Sequence, residues 1–186
     1  RWPAVLRFSV TSQSRDKGEA IQKLENLMGT LYDSLGVKEK QTISHYYLLQ
    51  TDAVSLMNRD DVSGISTRLG FMTDLEEHIR IVSGECYSGD GLTPDGAIEV
   101  VVSQACMVSQ KLLVGETLAF DRVYDADGEP IRIYIKGVYV EDDNEDYYWQ
   151  EHIGEKSGYC LMSEKLFREL FMGDYIEKYT LNGKIY

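Results

Sequence analysis

The 186-residue sequence predicts an α+β fold, a mixed sheet built from βαβ-type units with a smaller lobe. Three observations predict it. The chain opens as strand, helix, strand. Residues 98–103 are β-branched on both faces and run directly into a capped helix. Residues 131–140 form a long β-branched and aromatic run, the pattern of a strand within a sheet.

Taken in order, residues 4–10 are a short apolar-rich run that reads as a strand. Asp16 and Glu19 make an Asp-x-x-Glu capping box. Behind it, Ala20, Ile21, Leu24, Leu27, Met28, Leu31 and Leu35 recur at three- and four-residue steps. Gly36 sits at the helix C-terminal glycine position. Residues 42–51 alternate weakly, with Ile43, His45, Tyr47 and Leu49 on one face, which completes a split βαβ unit. Val54, Leu56 and Met57 suit a short helix ending in the polar Asn58-Arg59-Asp60-Asp61 stretch. Ile65, Thr67, Leu69 and Phe71 alternate with Ser66, Arg68 and Gly70 as a strand does. Residues 74–78 are a polar turn or short helix, and residues 87–96 have the Ser, Gly, Asp, Thr and Pro content of a connection.

The second half is more regular. Residues 97–103 read as a strand buried on both faces. Ser103 caps a helix over 104–113, Gly115 ends it, and residues 116–120 form a short strand. Asp125-Ala126-Asp127-Gly128 is a hairpin signal, since Asp-Gly readily takes positive φ. Gly137 inside the 131–140 strand marks a bulge or a close backbone contact. Residues 158–162 suit a short strand. Ser163 caps a helix with Leu166, Phe167, Leu170 and Phe171 on one side, and residues 175–181 suit a last strand. The expected organisation is one domain, with a core of 1–51 and 97–186 and a smaller lobe at about 52–96.

A chain of this length buries roughly two-thirds of its unfolded surface, enough to hold a core without disulfides or metal. The net charge of −12 and pI near 4.7 speak against a nucleic-acid partner, which needs a basic stripe, and against docking on anionic lipid. They suit a soluble, self-repelling surface that tolerates cationic partners. Cys86, Cys106 and Cys160 form no Cys-x-x-Cys pair and read as small, mostly buried hydrophobes. The sequence has no initiator methionine, signal peptide or apolar run near 18 residues, so it reads as an excised or processed piece of a longer protein.

The motifs that would carry chemistry fail on particular residues. His45, His78 and His152 lie in no nucleophile elbow or recognised Cys-His frame. Asp142, Asn144 and Asp146 imitate half a calcium loop, but Tyr147 stands where an EF-hand needs glycine and Ile153 where it needs Glu. The glycines at 84, 89, 91 and 96 form no phosphate loop. The reading is a domain without catalytic residues, metal or cofactor. Its candidate partner-binding segment is Asp142, Asp143, Tyr147, Tyr148 and Trp149, aromatics beside a polar rim. The same aromatics read first as cover for a sheet edge or filling for an interface between lobes, since aromatics carry core packing more often than recognition.

One stretch carries a family resemblance. Ile79-x-Ile81-x-x-Gly84 is followed by a polar loop and Ile98-Glu99-Val100-Val101-Val102-Ser103. A helix follows, then Leu113-x-Gly115-Glu116-x-Leu118-x-Phe120, then Ile133-x-Ile135-x-Gly137-Val138-Tyr139 and an acidic, aromatic segment ending at Trp149. This order resembles the extracytoplasmic, MacB-like periplasmic core of FtsX-like ABC-transporter permeases. Glu85 departs from it, standing where the family often has arginine. The resemblance implies a non-enzymatic domain between two membrane helices, at the outer face of the cell membrane or in the periplasm. It also implies a cytoplasmic ATPase subunit as partner through those helices, an extracellular protein, peptide or lipid cargo, and a homodimer in the full transporter. Mechanotransmission would be its task. The alternatives are an extracellular ligand-sensing domain of a membrane receptor, which a closed pocket with convergent polar groups would favour, and a small hydrolase.

Overall fold

The computed structural model describes residues 6–10, 17–36, 41–48, 50–57, 59, 64–125, 127–142, 147–149, 158–172 and 180–185. In chain order these form β1 (Leu6–Val10), α1 (Lys17–Leu35), β2 (Ser44–Leu48), β3 (Thr51–Ser55), β4 (Ile65–Met72), β5 (Ile79–Gly84) and β6 (Ile98–Ser103). Then come α2 (Gln104–Gln110), β7 (Thr117–Tyr124), β8 (Pro130–Glu141), β9 (Tyr159–Leu161), α3 (Glu164–Phe171) and β10 (Leu181–Ile185). Single 3-10 turns stand at Leu75–Glu77 and Tyr147–Trp149. With few helices and one large sheet, the fold is mixed α+β.

The opening unit is a split βαβ. β1 pairs antiparallel with β10, and β10 antiparallel with β2, so β1 and β2 run parallel with β10 between them and α1 as the crossover. Of the α1 stripe, Ile21 and Met28 are buried, whereas Leu27 and Leu35 are exposed. The Asp16 half of the expected capping box lies outside the described residues.

Residues 51–55 are strand, not the short helix that Val54, Leu56 and Met57 suggested. Two ladders fix them, Thr51↔Thr67 to Ala53↔Ile65 on β4 and Ala53↔Phe120 to Ser55↔Leu118 on β7. Tertiary pairing overrides a weak local pattern. β2 and β3 lie end to end along one edge of β4, so the expected strand over 42–51 is divided between them. The last strand begins at Leu181, where the sequence reading ended it; residues 175–179 lie outside the described residues.

The pairings close into a ring. From β3 the ladder passes to β7, β8, β6 and β9, and the parallel pairing of β9 with β4 returns it to β3. Such closure pairs both edges of each ring strand, where a free edge would otherwise recruit other chains. β5 extends the sheet on β8, and β2, β10 and β1 extend it from β4. Ladders therefore join the strands of residues 52–96 to those on either side of them in sequence.

Each face of the ring strands has its own core. One carries Ile65, Leu69, Val100, Val102, Ile133 and Ile135, and continues under Met28 of α1 and Phe167 of α3. The other carries Val101, Tyr139, Tyr159 and Leu161, covered by Leu75, Tyr148 and Trp149. The Gly137 bulge joins the two patterns. The β6–β8 register shifts between Val100 and Val101, and with it the inward set on β8 moves from Ile135 to Val138. A Cβ at Gly137 would lie 2.1 Å from the Glu85 carbonyl oxygen, so only glycine fits where β5 crosses. Cys106 and Cys160 are buried and Cys86 is half-buried, all as free thiols.

Candidate functional site

The sequence-predicted segment is divided by the structure. Asp142 is exposed, and its backbone N–H donates to the His78 carbonyl at 3.0 Å. Tyr148 is fully buried and Trp149 is 2% exposed. The Tyr148 hydroxyl donates to the Thr73 carbonyl at 2.8 Å, and its ring stacks on His78 with centroids 3.7 Å apart. Trp149 lies parallel to Tyr139 and edge-on to Tyr148. These two rings cover the second core, and their surfaces are not offered to solvent. Asp143 lies outside the described residues, as do Asn144, Asp146 and His152; Tyr147 is placed only through its backbone, in the 3-10 turn.

A different feature has the shape of a binding site. Beside the β7–β8 hairpin an open cleft encloses about 660 Å³. Its apolar lining is Leu56, Leu92, Ile98, Ile131, Leu170 and Phe171. Ile98, Ile131 and Phe171 belong to the core, whereas Leu56 is 55% and Leu92 36% exposed. The rim is the hairpin loop. Asp125 builds it, its Oδ1 accepting the backbone N–H groups of Asp127 and Glu129 at 2.9 Å each. Gly128 takes the positive φ of 86° that the turn needs. Asp127 and Glu129 are left exposed on the cleft.

The cationic lining residue, Arg132, is already engaged. Its guanidinium pairs with the Asp95 carboxylate at 2.9 Å and also bonds the Asp95 carbonyl. A hydrogen bond from the Thr93 hydroxyl, aided by Arg132, holds the Asp95 carboxyl below the usual carboxylate range. The loop that carries Asp95 is fixed at its other end by Glu99. That carboxylate accepts the Ser88 N–H at 2.6 Å and the Lys136 ammonium at 2.7 Å.

A buried polar network stiffens the strands near the cleft. Glu116 is fully buried, and its carboxylate accepts from Arg59 at 3.0 Å, Ser55 Oγ at 2.5 Å and the Leu113 N–H at 3.0 Å. Three donors making four hydrogen bonds to one carboxylate repay its desolvation, the condition for a buried charge. Sequence reading placed Glu116 in a motif but gave it no partner. The only sequence signal of the cleft was the acidic hairpin, read there as a turn.

Among the described residues, neither histidine is placed as the base of a nucleophile. His45 sits in the core among Tyr47 and Tyr159, and His78 is stacked on Tyr148. Among the described residues no group of three or more His, Cys, Asp or Glu is placed to hold a metal ion. No helix among them is long and apolar enough to cross a membrane.

No family model matches the sequence, and no curated protein matches it. The fold is similar to a solved one. That structure is the extracellular domain of the noncanonic ABC-type transporter YknZ from Gram-positive bacteria. It matches at 11% sequence identity and a TM-score of 0.45 over 98% of this chain and 83% of that one.

Proposed function

We propose that this chain is the extracytoplasmic, MacB-like domain of an FtsX-like ABC-transporter permease, carried between two membrane helices and moved by them. The observation that carries the reading is the pairing of Leu6 with Ile185, the first residue of β1 with the last of β10. The polypeptide therefore enters and leaves the sheet side by side, which a domain inserted between two adjacent helices requires. The order of motifs from Ile79 to Trp149 supports the same reading. In it the ATPase supplies the chemistry and this domain supplies surface, so it makes and breaks no bond.

In this reading the cleft, lined by the start of β8 at Pro130 to Arg132 and by Leu170 and Phe171 of α3, is the surface offered to a partner of the transporter.

The test is topology in the full-length protein. A single cysteine at Asp127, with Cys86 replaced by serine, is offered to a membrane-impermeant maleimide on intact cells. Labelling is expected from outside. Labelling only after lysis would overturn the assignment.

A further inference from the structure

We infer that the cleft beside the β7–β8 hairpin binds a cationic amphipathic peptide segment, apolar side chains on its floor and an amine or guanidinium at its rim. This deepens the reading above by naming the class of partner, and it is tested in solution, where membrane topology has no part.

Two properties select the occupant. The first is apolar surface that the fold leaves open. Leu56 and Leu92 stand 55% and 36% exposed on a cleft whose floor is core side chains, and covering such residues is favourable by the hydrophobic effect. The volume of about 660 Å³ is within the roughly 300–1,000 Å³ of ligand sites. The second is charge. Among the described residues Asp127 and Glu129, which line the cleft, have no ion-pair partner, while Arg132 is committed to Asp95. A bound cation would find carboxylates there, and the net charge of −12 would steer it in. An anion would meet the same carboxylates as repulsion. That excludes an acidic segment and an anionic lipid surface as occupants.

The apolar floor and acidic rim make separable predictions for the 186-residue chain. The probes are a synthetic peptide of repeating Lys-Leu-Leu-Lys units, its Glu-Leu-Leu-Glu counterpart and a Lys-Gly-Gly-Lys control. Binding is followed by calorimetry and by amide NMR shifts. The Lys-Leu-Leu-Lys peptide is expected to bind saturably and to shift Leu56, Leu92, Ile131 and Leu170. The double variant Asp127→Asn, Glu129→Gln should weaken it roughly 2- to 25-fold, from two exposed charge pairs. Leu56→Asn should weaken it roughly 4- to 15-fold, from the apolar surface it still exposes.

Both variants alter exposed side chains. NMR mapping on the unaltered chain provides a second readout that depends on neither. Equal binding of the Lys-Gly-Gly-Lys control would show that charge alone acts and would overturn the proposal. So would binding of the Glu-Leu-Leu-Glu peptide or of vesicles containing phosphatidylglycerol, or shifts confined to residues outside the cleft. Loss of binding here leaves the topology result standing, and failure of the topology test leaves the cleft intact.

Discussion

Replacing Trp149 with alanine is expected to cost about 3–5 kcal/mol, the range for removing a large aromatic from a core. The structure sets the size of the effect. The indole is 2% exposed. It packs parallel to Tyr139 with ring centroids 6.3 Å apart, and edge-on to Tyr148 at 4.9 Å. Truncation leaves a void beside Tyr139 and Tyr148, within the cluster that also holds Val101, Tyr159 and Leu161. Against a total stability of about 5–15 kcal/mol, the loss is about a fifth or more. At about 2–4 °C per kcal/mol for a domain of this size, melting should fall by roughly 6–20 °C. The assay is calorimetric and circular-dichroism melting with urea titration. Tyr148→Phe is the graded control, since it removes only the hydroxyl that bonds Thr73 and should cost about 1 kcal/mol. A loss below about 1 kcal/mol for Trp149→Ala would refute the packing argument and return the aromatic segment to the surface as a partner site.

Glu116→Ala removes the buried carboxylate that Arg59, Ser55 and the Leu113 N–H share and should cost about 3–5 kcal/mol in urea unfolding, whereas Asp121→Ala, on an exposed pair, should change little. Gly137→Ala must push its methyl group into the Glu85 carbonyl, so it should destabilise by at least about 1–3 kcal/mol in the same titration. Burial raises the thiols of Cys106 and Cys160, and for Cys160 the nearby Cys106 adds to it. At pH 8, iodoacetamide should therefore modify Cys86 slowly and the other two only on unfolding, as mass spectrometry would report. For Glu99, burial opposes ionisation, but the Lys136 ammonium and the Ser88 N–H outweigh it and hold the carboxyl below its ordinary 4.5. A lowered folded value stabilises above 4.5 and loses that contribution as pH falls through the folded value. Melting curves of Glu99→Gln should accordingly show a shallower loss of stability in acid than the unaltered chain.

What was legible in the sequence was local. Residues 98–103 are buried on both faces, as their run of β-branched side chains implied, and Ser103 Oγ accepts the Cys106 N–H at 3.0 Å as a cap should. The Asp125–Gly128 hairpin and the close contact at Gly137 were equally readable, because a single residue type decides each. What was hidden depends on distant partners. β10 reads Leu-Asn-Gly-Lys-Ile, with three poor strand formers at its centre, and a Cβ at Gly183 would run into the Phe8 ring, a partner that the pattern does not announce. The ring closes through three parallel pairs between β4 and β9, some 90 residues apart in sequence, which no periodicity announces. The cleft draws on five separated segments, so beyond the acidic hairpin no local pattern announced it. Tyr148 and Trp149 were visible, but their burial depends on Thr73 and Tyr139, which pattern alone does not bring to them.

Closure of the ring bears on how the proposed domain would work. An open sheet with a free edge can absorb motion by twisting; a ring whose strands are paired on both sides resists it, and a packed core transmits displacement. Motion applied where Leu6 and Ile185 leave the sheet should therefore move the domain as one body. Rotations of the membrane helices would then displace the cleft together with the strands that line it. Spin labels at Asp127 of two copies in the full transporter, measured with and without nucleotide, would read that displacement directly. An unchanged separation alongside a changed one between labels at Thr51 and Asp127 within one copy would show that the ring deforms instead of moving whole.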